Sequence, residues 1–596
     1  MTAIFFLVLP PASVASRAAE QAAPTIPTTN VSSARKTLSA DYSETARAVQ
    51  FDVKALLNAR VVTTGSSGAL QTWNQGIDGV WSGLATRQAA DLMGSKGKAA
   101  LPDDAAFPAN SLHPQVVLHF PNDDVSGNQV RFSDKGVADA YSFYPSDGYF
   151  SHLSLFFMSA FGTSEITVEI EYADNTRELR RYSIEDWARK IPESETKYFL
   201  SANLAKWGPK NTELEKDSHY LMGIELKPAP TKKVSCVTIT KPASPTTLTF
   251  WGATGYLQRS VPQIRSGNDA SISYEGRTVT TTNGTVKLGY PGIVVRVNFR
   301  GTALNLHART TSAEMYLDIG VDGASPQFLH VPKGDSDVAL AQNLPDGEHR
   351  VEIFKRVESS VGVLEVMALA VAGEFLPAKP LPERRMLFLG DSFTAGQATT
   401  VEDGGPMDPS KAMRQNARLC YGRLLADRLH AQCHIIAYAG RGVMRDWQGV
   451  RAVRCAPEYY EYALPDDVTA RWDHHAYVPD AIGVCLGNND FGEGVPDQTE
   501  YIRVYVEFVR KLRRDAPHAS IFLILSPSLT DEPGRVPLRT VQHAYFDEIV
   551  RRLGDPHVQV VPIAHYPGVR GDFHPSGTAH RAIAAELEPV FRQVLK

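Results

Sequence analysis

Alternating apolar and polar residues mark many short segments in the first part of the chain. The clearest segment runs from Ile166 to Tyr172, where every second residue is apolar. A period of two gives a strand one buried face, and the Gly, Asp, Asn and Pro residues that separate the segments are typical of turns. The pattern predicts a β-sandwich with a few helical excursions over residues 41–260.

A second strand-rich stretch follows over residues 265–376. Its segments alternate in the same way and are joined by Gly, Pro-Gly and Asp-Gly turns, as in "YPGIVVRVNFRGTALNL", "MYLDIGVDG" and "LPDGEHRVEIFKRVES". A stretch of about 100 residues with this pattern is enough for one compact jelly-roll-like sandwich. The prolines of "LPAKPLPE" at residues 376–383 then predict a stiff linker.

From residue 384 the pattern changes to short apolar runs separated by helical repeats. These runs are typical of parallel strands buried on both faces: Met386 to Leu389, Ile435 to Tyr438, Ile482 to Leu486 and Ile521 to Leu525. One intervening helix is predicted to start at the cap residue Asp497, and another to end at Gly554. We therefore predict a multidomain fold in which a doubly wound α/β/α domain at residues 384–596 follows two β-sandwiches. Ligands bind such a domain at the carboxyl ends of its strands.

Length and charge exclude several classes of protein. A chain of 596 residues is too long for one hydrophobic core. Its hydrophobic fraction of 43% and charged fraction of 21% are ordinary for a globular protein. The formal net charge of -5 gives no electrostatic reason to expect nucleic acid or an acidic membrane as a partner. We expect a monomer that acts on an uncharged substrate.

The first residues resemble a secretory signal. An apolar run from Ile4 to Leu9 is followed by two prolines and small residues, and it is far too short to span a bilayer. No Lys or Arg precedes Ile4, so a wrongly chosen start codon or a buried N-terminal strand is the alternative. We expect a signal peptide at residues 1–19, an Ala-, Pro-, Thr- and Ser-rich linker at residues 20–40, and a periplasmic or secreted protein.

The cysteine and histidine patterns predict neither a metal site nor a cofactor. The five cysteines show no CxxC spacing and allow at most one or two disulfides. His474 and His475 are adjacent, but no third ligand lies at a suitable spacing.

Candidate chemistry lies where the predicted strands of the third domain end. Ser392 follows the first strand in a Gly-Asp-Ser turn, and the next two strands end in "AGRG" and "GNND". These endings supply the backbone amide of Gly440 and the side-chain amide of Asn489, which are the donor types that an oxyanion hole needs. "GDFHP" near the C-terminus adds Asp572 and His574 at the same edge. The set predicts a serine nucleophile with a histidine base and an orienting acid.

The four blocks "FLGDSFTAG", "YAGRGV", "LGNND" and "DFHP" resemble those of the SGNH (GDSL-type) hydrolases, in the same order. The resemblance implies that Ser392 is the nucleophile and an oxyanion donor, that Gly440 and Asn489 are further donors, and that His574 is the base. Many members carry an acid three residues before the histidine, where this chain has Gly571. Asp572 stands two residues before it, so either Asp572 or a backbone carbonyl orients His574.

A narrower resemblance includes the second β stretch. "YPGIVVRVNFRGTALNL", "LPDGEHRVEIFKR", "GRGVMRDW" and "VPDAIGVCLGNND" are similar to carbohydrate esterase family two. That family joins a jelly roll to an SGNH domain and deacetylates plant polysaccharides, especially at sugar O6 hydroxyls. The likeness runs from about residue 272 to residue 596. In the first β stretch, "IEYADNTRELRRYSIEDWA" resembles galactose-binding-like carbohydrate-binding modules, and a merely structural sandwich is the alternative.

Several aromatic residues near these motifs are candidates for contact with sugar rings. We predict substrate-binding roles for Phe573, Trp447 and Trp472, and consider Tyr459 and Tyr460 with them. Core packing is the alternative for each residue except Phe573, which lies between Asp572 and His574.

The sequence thus predicts a serine acetylesterase acting on acetylated xylan, xyloglucan or glucomannan. A lipid or thioester hydrolase of the same fold is one alternative, although the attached sandwiches and the lack of a long apolar lid segment disfavour it. A non-catalytic carbohydrate-binding protein is the other alternative, and the intact Ser, Gly, Asn and His set argues against it.

Overall fold

The computed structural model describes residues 42, 44–66, 68–78, 82–95, 99–121, 130–132, 138–145, 148–194, 196–208, 213–402, 408 and 410–595. The predicted signal peptide and linker lie outside these residues. None of the helices in the described part of the chain combines the length and apolar character needed to cross a bilayer.

Strands dominate the chain up to Leu257, and we refer to this part as the first β region. Its elements are β1 (Ala48–Gln50), β2 (Val62–Ser66), β3 (Ala69–Gln71), β4 (Leu84–Ala85), α1 (Arg87–Leu92), β5 (Ala106–Phe107), β6 (Val116–Val117), β7 (Val130–Arg131), β8 (Asp139–Phe143), β9 (Phe150–Ala160), β10 (Ser164–Tyr172), β11 (Arg177–Ile184), β12 (Lys197–Trp207), β13 (Glu213–Leu226), β14 (Val234–Lys241) and β15 (Thr247–Leu257).

Two sheets of the first β region pack against each other. One has the order β1-β15-β9-β13-β12, with β7 beside β15, and the other has the order β11-β10-β14-β8. Apolar residues from both sheets form one core, and the alternating face predicted from Ile166 to Tyr172 is buried in it. The other side of the larger sheet packs against residues 59–120, which carry a smaller core of their own.

The second β region follows, and all ten of its strands belong to one connected sheet. They are β16 (Gln263–Ser266), β17 (Ile272–Glu275), β18 (Thr278–Thr280), β19 (Val286–Leu288), β20 (Val294–Thr310), β21 (Met315–Val321), β22 (Gln327–Val331), β23 (Gly334–Ala341), β24 (Gly347–Lys355) and β25 (Leu364–Leu376). The long strand β20 pairs with β17, β23, β24 and β25. It therefore connects the strands on the β25 side (β16, β18 and β19) to those on the β24 side (β21 and β22).

The chain then changes to alternating strands and helices, as the sequence predicts. The elements of this α/β domain are β26 (Arg385–Gly390), α2 (Lys411–Arg414), α3 (Tyr421–Arg428), β27 (Gln432–Ala437), α4 (Ala456–Tyr459), β28 (Ala481–Cys485), α5 (Gln498–Asp515), β29 (Ser520–Ile524), α6 (Leu538–Leu553), β30 (Val558–Val561) and α7 (Gly577–Val594). The five strands are parallel in the order β27-β26-β28-β29-β30.

The sheet of the α/β domain is buried on both faces. Alternate residues of β26 enter different cores, with Leu387 and Leu389 beside α5 and α6, and Met386 and Phe388 beside α3 and α7. The predicted helix ends are confirmed, because Asp497 accepts a hydrogen bond from the Glu500 N–H, and Gly554 ends α6 in a left-handed conformation. The final strand β30 is an element that the apolar runs did not predict.

The second β region and the α/β domain share one hydrophobic core, which contains residues of both. Buried ion pairs also cross the boundary. Glu275 at the end of β17 contacts Arg423 of α3 at 2.5 Å and accepts a hydrogen bond from the Cys433 N–H at 2.7 Å. Asp318 of β21 accepts hydrogen bonds from Asn416 and Arg418 at 2.7 and 2.9 Å.

All five cysteines lie within the described residues, and each is a free thiol. Four are buried, and Cys236 is half-buried.

Candidate active site

Ser392 lies in a tight turn directly after β26, at the carboxyl edge of the parallel sheet. The turn needs glycine at its start, because a Cβ atom at Gly390 would overlap the side chain of Thr394. Asp391 Oδ1 accepts a hydrogen bond from the Phe393 N–H at 3.0 Å, which holds the turn closed. The Ser392 side chain therefore projects from a rigid position, as a nucleophile requires.

His574 lies within hydrogen-bond distance of both Ser392 and Asp572. Its Nε2 atom is 2.7 Å from Ser392 Oγ, and its Nδ1 atom is 2.5 Å from Asp572 Oδ1. The carboxylate also accepts a hydrogen bond from the His574 N–H at 3.2 Å. The Asp572 side chain therefore turns toward both the backbone and the ring of His574. Of the two groups that the sequence left open, the structure places Asp572 rather than a backbone carbonyl at Nδ1.

Arg414 holds the other oxygen of Asp572. Its guanidinium contacts Asp572 Oδ2 at 3.0 Å, and both side chains are buried. Burial alone would raise the pKa of Asp572, but the hydrogen bond and charge of His574 and those of Arg414 lower this pKa to about 2. Asp572 is thus ionised at neutral pH, the state in which it can stabilise a protonated His574.

The three candidate oxyanion donors come from the ends of three adjacent strands. Gly440 follows β27 with a φ of 72°, a conformation that favours glycine. Within the described residues, the N–H groups of Ser392 and Gly440 donate to no protein acceptor. Asn489 follows β28, and its amide donates to Asp391 Oδ2 at 2.9 Å and to the Arg441 carbonyl at 3.1 Å. An oxyanion would have to accept the hydrogen bond that Asn489 now donates to the Arg441 carbonyl.

Two fully buried carboxyl groups support these loops. Asp391 accepts from Asn489, as described, and burial raises the pKa of Asp391 to about 7. Asp490 accepts from the N–H groups of Val443 and Met444, and burial raises the pKa of Asp490 to about 6. Both side chains position the loops that follow β26, β27 and β28.

Two of the three predicted substrate-binding aromatics are exposed beside this site. Phe573 is 89% exposed and lies between Asp572 and His574. Trp447 is 55% exposed, and its backbone N–H donates to the Gly440 carbonyl at 3.1 Å. The Trp447 ring lies beside the candidate oxyanion donor Gly440, because a Cβ atom at Gly440 would come within 3.1 Å of Trp447 Cδ1, and its exposed apolar surface is a place where a sugar ring could stack.

The structure places Trp472 elsewhere. Its ring lies against His434, which pairs with Leu387 in the first half of β26, and against the Arg277 guanidinium at 5.2 Å. It therefore lies away from the carboxyl edge that carries Ser392. Tyr459 and Tyr460 are buried, so core packing is correct for both of these residues.

The sequence missed three residues that line or support the site. They are Arg414, Asp391 as a support for Asn489, and Glu358, whose carboxylate accepts a hydrogen bond of 2.8 Å from the Ala439 N–H. Asp391 is next to the nucleophile, so its position could have suggested it. Glu358 belongs to the second β region and carries no motif.

The histidine pair needs a correction. His474 does have possible co-ligands, because the folded chain brings Glu461 and Asp515 within 4.8 Å of it and of each other. However, Lys511 Nζ contacts Glu461 Oε1 at 2.5 Å and supplies the positive charge that this cluster needs. His475 is exposed.

A cleft of about 460 Å³ lies away from the candidate active site. It opens between the second β region and the α/β domain, where Pro382 and Ala431 line it at the amino ends of β26 and β27. Its guanidinium groups are engaged in ion pairs such as Arg296 with Glu275 at 2.6 Å. The cleft is thus a boundary between the two parts rather than the place of the chemistry.

Two protein families match this chain. Residues 274–380 match the family described as Carbohydrate esterase 2 N-terminal, and residues 388–582 match the GDSL-like Lipase/Acylhydrolase family. The first range falls in the second β region and its linker, and the second range contains Ser392, Gly440, Asn489 and His574.

The sequences of two curated relatives align with about half of this chain. An acetylxylan esterase / glucomannan deacetylase from Cellvibrio japonicus is 33% identical over 332 residues, which are 55% of this chain and 90% of that protein. The cellulase/esterase CelE from Acetivibrio thermocellus is 28% identical over 333 residues, which are 54% of this chain and 40% of that protein.

Solved structures also match just over half of this chain. A family two carbohydrate esterase from Cellvibrio japonicus has 33% identity and a TM-score of 0.53, and the match covers 56% of this chain and 98% of that one. A family two carbohydrate esterase from Clostridium thermocellum in complex with cellohexaose has 27% identity and a TM-score of 0.50, covering 54% and 98% of the two chains.

Proposed function

The chain belongs to carbohydrate esterase family two, and from this membership we propose that Ser392, His574 and Asp572 form the catalytic triad of a polysaccharide deacetylase. The protein is a carbohydrate acetylesterase, a serine carboxylic-ester hydrolase. The observation that carries the assignment of residues is the unbroken line of hydrogen bonds from Ser392 Oγ through His574 to Asp572.

The first half of the reaction forms an acetyl-enzyme. Ser392 Oγ bonds to the carbonyl carbon of the acetyl group while its proton passes to His574 Nε2. The carbonyl oxygen becomes an anion, which the N–H groups of Ser392 and Gly440 and the amide of Asn489 stabilise. When the tetrahedral intermediate collapses, the sugar oxygen leaves and takes the proton from His574.

The second half releases acetate. A water molecule gives a proton to His574 and attacks the acetyl carbonyl carbon, and the same three donors stabilise the second oxyanion. The Ser392–acetyl bond then breaks, and His574 returns the proton to Ser392 Oγ. Asp572 stays ionised throughout, because its pKa is lowered to about 2.

We assign acetylated xylan, xyloglucan or glucomannan as the substrate class. The relatives named above are an acetylxylan esterase / glucomannan deacetylase and an esterase solved with cellohexaose. The exposed rings of Trp447, beside Gly440, and of Phe573 suit a sugar chain, which binds through its apolar ring faces.

We further assign two β-sandwich domains, at residues 41–260 and 265–376, ahead of a catalytic domain at residues 384–596. The first would bind carbohydrate and hold the enzyme on its polymer, while the second supports the catalytic domain. Substrates of this size lie outside cells, so we also assign the protein to the periplasm or the surrounding medium.

The test is a comparison of three substrates with the purified enzyme. Hydrolysis of 4-nitrophenyl acetate and acetate release from acetylated glucomannan or xylan are expected, with little turnover of a 4-nitrophenyl ester of a long acyl chain. A preference for the long-chain ester would favour a lipid hydrolase instead. Absence of all turnover, with binding to polysaccharide retained, would favour a binding protein.

A further inference from the structure

One carboxylate reaches the site from the second β region. Glu358 lies in the segment between β24 and β25, and its side chain is buried. Its Oε2 atom accepts the hydrogen bond from the N–H of Ala439, the residue that precedes Gly440. Its own N–H donates to Gln415 Oε1 at 3.0 Å, so the segment is held on two sides.

The rest of this segment is also fixed in place. Ser359 Oγ donates to the carbonyl of Ala437, the last residue of β27, at 3.5 Å. The ammonium of Lys355 is fully buried and donates to the carbonyls of Gly289 and Val357 at 3.1 and 2.7 Å. These bonds determine where the Glu358 carboxylate lies relative to the loop that contains Gly440.

Burying a carboxylate costs free energy, so packing alone does not explain why a glutamate occupies position 358. Removing the charge from water costs several kcal/mol unless partners compensate, and a glutamine of the same shape would avoid most of this cost. The glutamate has one backbone N–H as a partner from the α/β domain, Ala439, and that peptide leads directly to a candidate oxyanion donor.

We propose that Glu358 is a positioning residue of the esterase, which anchors the Ala439–Gly440 peptide. This inference rests on the proposed function. The anchor directs the free Gly440 N–H toward the oxyanion, so its loss should weaken stabilisation of the transition state rather than binding of the substrate.

The anchor does not depend on the charge of Glu358. Burial raises the pKa of Glu358, and the hydrogen bonds from Ala439 and Ser360 and the charges of His574 and Lys355 only partly oppose this rise. Whether ionised or protonated, the carboxyl group keeps an oxygen that can accept from the Ala439 N–H.

Two substitutions separate the anchor from the charge. Glu358→Gln keeps an oxygen that can accept from Ala439 but removes the charge, and Glu358→Ala removes both. Glu374→Gln is the matched control, because Glu374 is an exposed glutamate of the same region, in β25. For each variant, kcat and KM on 4-nitrophenyl acetate are measured across pH, together with a thermal unfolding curve.

We expect Glu358→Gln to keep kcat within about threefold of the wild type with little change in KM, because its amide oxygen can still accept from the Ala439 N–H. Glu358→Ala should lower kcat by about 10², comparable to the loss of one oxyanion donor. The Glu374→Gln control should match the wild type in kcat, KM and pH profile.

An active wild type beside a folded Glu358→Ala variant with unchanged kcat would overturn this inference and leave the proposed function intact. A purely structural role predicts that Glu358→Ala lowers the unfolding temperature without a selective loss of kcat, and that result would overturn it as well. If Glu358→Ala does not fold, the Glu358→Gln variant still decides the question, because a large loss of kcat there contradicts an anchor that any acceptor oxygen can provide. An inactive wild type would reject the proposed function itself.

Discussion

The two β regions are similar in composition but differ in how they relate to the α/β domain. The first β region has cores that contain only its own residues. Its contacts with the second β region include polar ones, such as Thr231 with Asn305 at 2.7 Å and Lys232 with Asp337 at 3.0 Å. The second β region shares a core with the α/β domain and places Glu358 beside the oxyanion loop. An appended domain becomes part of an active site through shared core and inserted polar groups, and not by proximity in the chain.

The largest effect should come from the nucleophile, and it should be the same with and without the first β region. Ser392→Ala is expected to lower kcat on 4-nitrophenyl acetate by up to about 10⁶, because no other described side chain at this edge is placed to attack. Turnover above about one percent in the full-length variant, but not in a chain lacking residues 1–259, would reveal a second hydrolytic site in the first β region.

Asp572→Asn should have the next largest effect. The amide would favour the wrong tautomer of His574, so we expect kcat to fall by up to about 10⁴ with little change in KM. Kinetics on a small acetyl ester measure this directly. A loss below about tenfold would mean that Ser392 and His574 act as a dyad, despite the 2.5 Å contact between Asp572 and His574.

Asn489→Ala should lower kcat by about 10² to 10³ through the loss of one oxyanion donor. The variant also removes the partner of Asp391, so its thermal unfolding curve must be measured beside its kinetics. Comparing the loss of kcat in this variant with that in Glu358→Ala then shows whether the donor from the α/β domain or the anchor from the second β region contributes more to the rate. An unchanged kcat would remove Asn489 from the site.

Deletion of residues 1–259 should have a small effect on small esters. The cut falls before β16, which pairs with β25, and it severs mainly polar contacts at the surface of the second β region. We expect kcat on 4-nitrophenyl acetate to change by less than about twofold, because separate domains usually fold alone, and acetate release from polymer to weaken. A folded but inactive shortened chain would show that the first β region contributes to the site.

The smallest effect concerns pH and stability. Asp391 has a folded pKa of about 7 and an ordinary value of 3.8, so the folded protein holds this proton where the unfolded chain has lost it. The contribution of Asp391 to the free energy of unfolding should therefore fall as pH rises from about 4 to about 7. Asp572, with a folded pKa of about 2, acts in the opposite sense and below that window.

Urea denaturation across this range checks the effect of Asp391. Asp391→Asn, which mimics the protonated acid, should make the slope of the unfolding free energy against pH more positive than in the parent chain, and the substitution should change the slope equally in the full-length and the shortened chain. A slope that the substitution leaves unchanged would mean that Asp391 does not titrate in this range. A change of slope that the substitution causes only in the full-length chain would mean that the titration of Asp391 depends on the first β region.

The sequence predicted the site well where strand topology determines it. Ser392, Gly440 and Asn489 follow three strands whose carboxyl ends must meet at one edge, so their clustering follows from the parallel sheet alone. Burial on both faces gave the strands of this domain their continuous apolar runs, which is why four of the five were predicted.

Residues positioned by packing between distant segments were not predictable in this way. Trp472 lies between two site motifs in the sequence, yet the chain carries it back beside His434. Glu358 and Arg414 reach the site from segments without a motif, and the grouping of Glu461, His474 and Asp515 appears only after three separate segments pack together. No local period or spacing encodes such contacts.

The segment from Lys355 to Ser359 also sets the size of the smallest part that can be transplanted. A designer who fuses residues 384–595 to another scaffold would discard the anchor of the Gly440 loop and expose the apolar surface of a divided core. The transferable module instead begins before β16 and includes both the second β region and the α/β domain. The same reasoning applies to gene recombination. A break within residues 263–595 would separate the catalytic loops from one of their supports, whereas we expect a break near residue 260 to leave a working enzyme to which new binding domains can be attached.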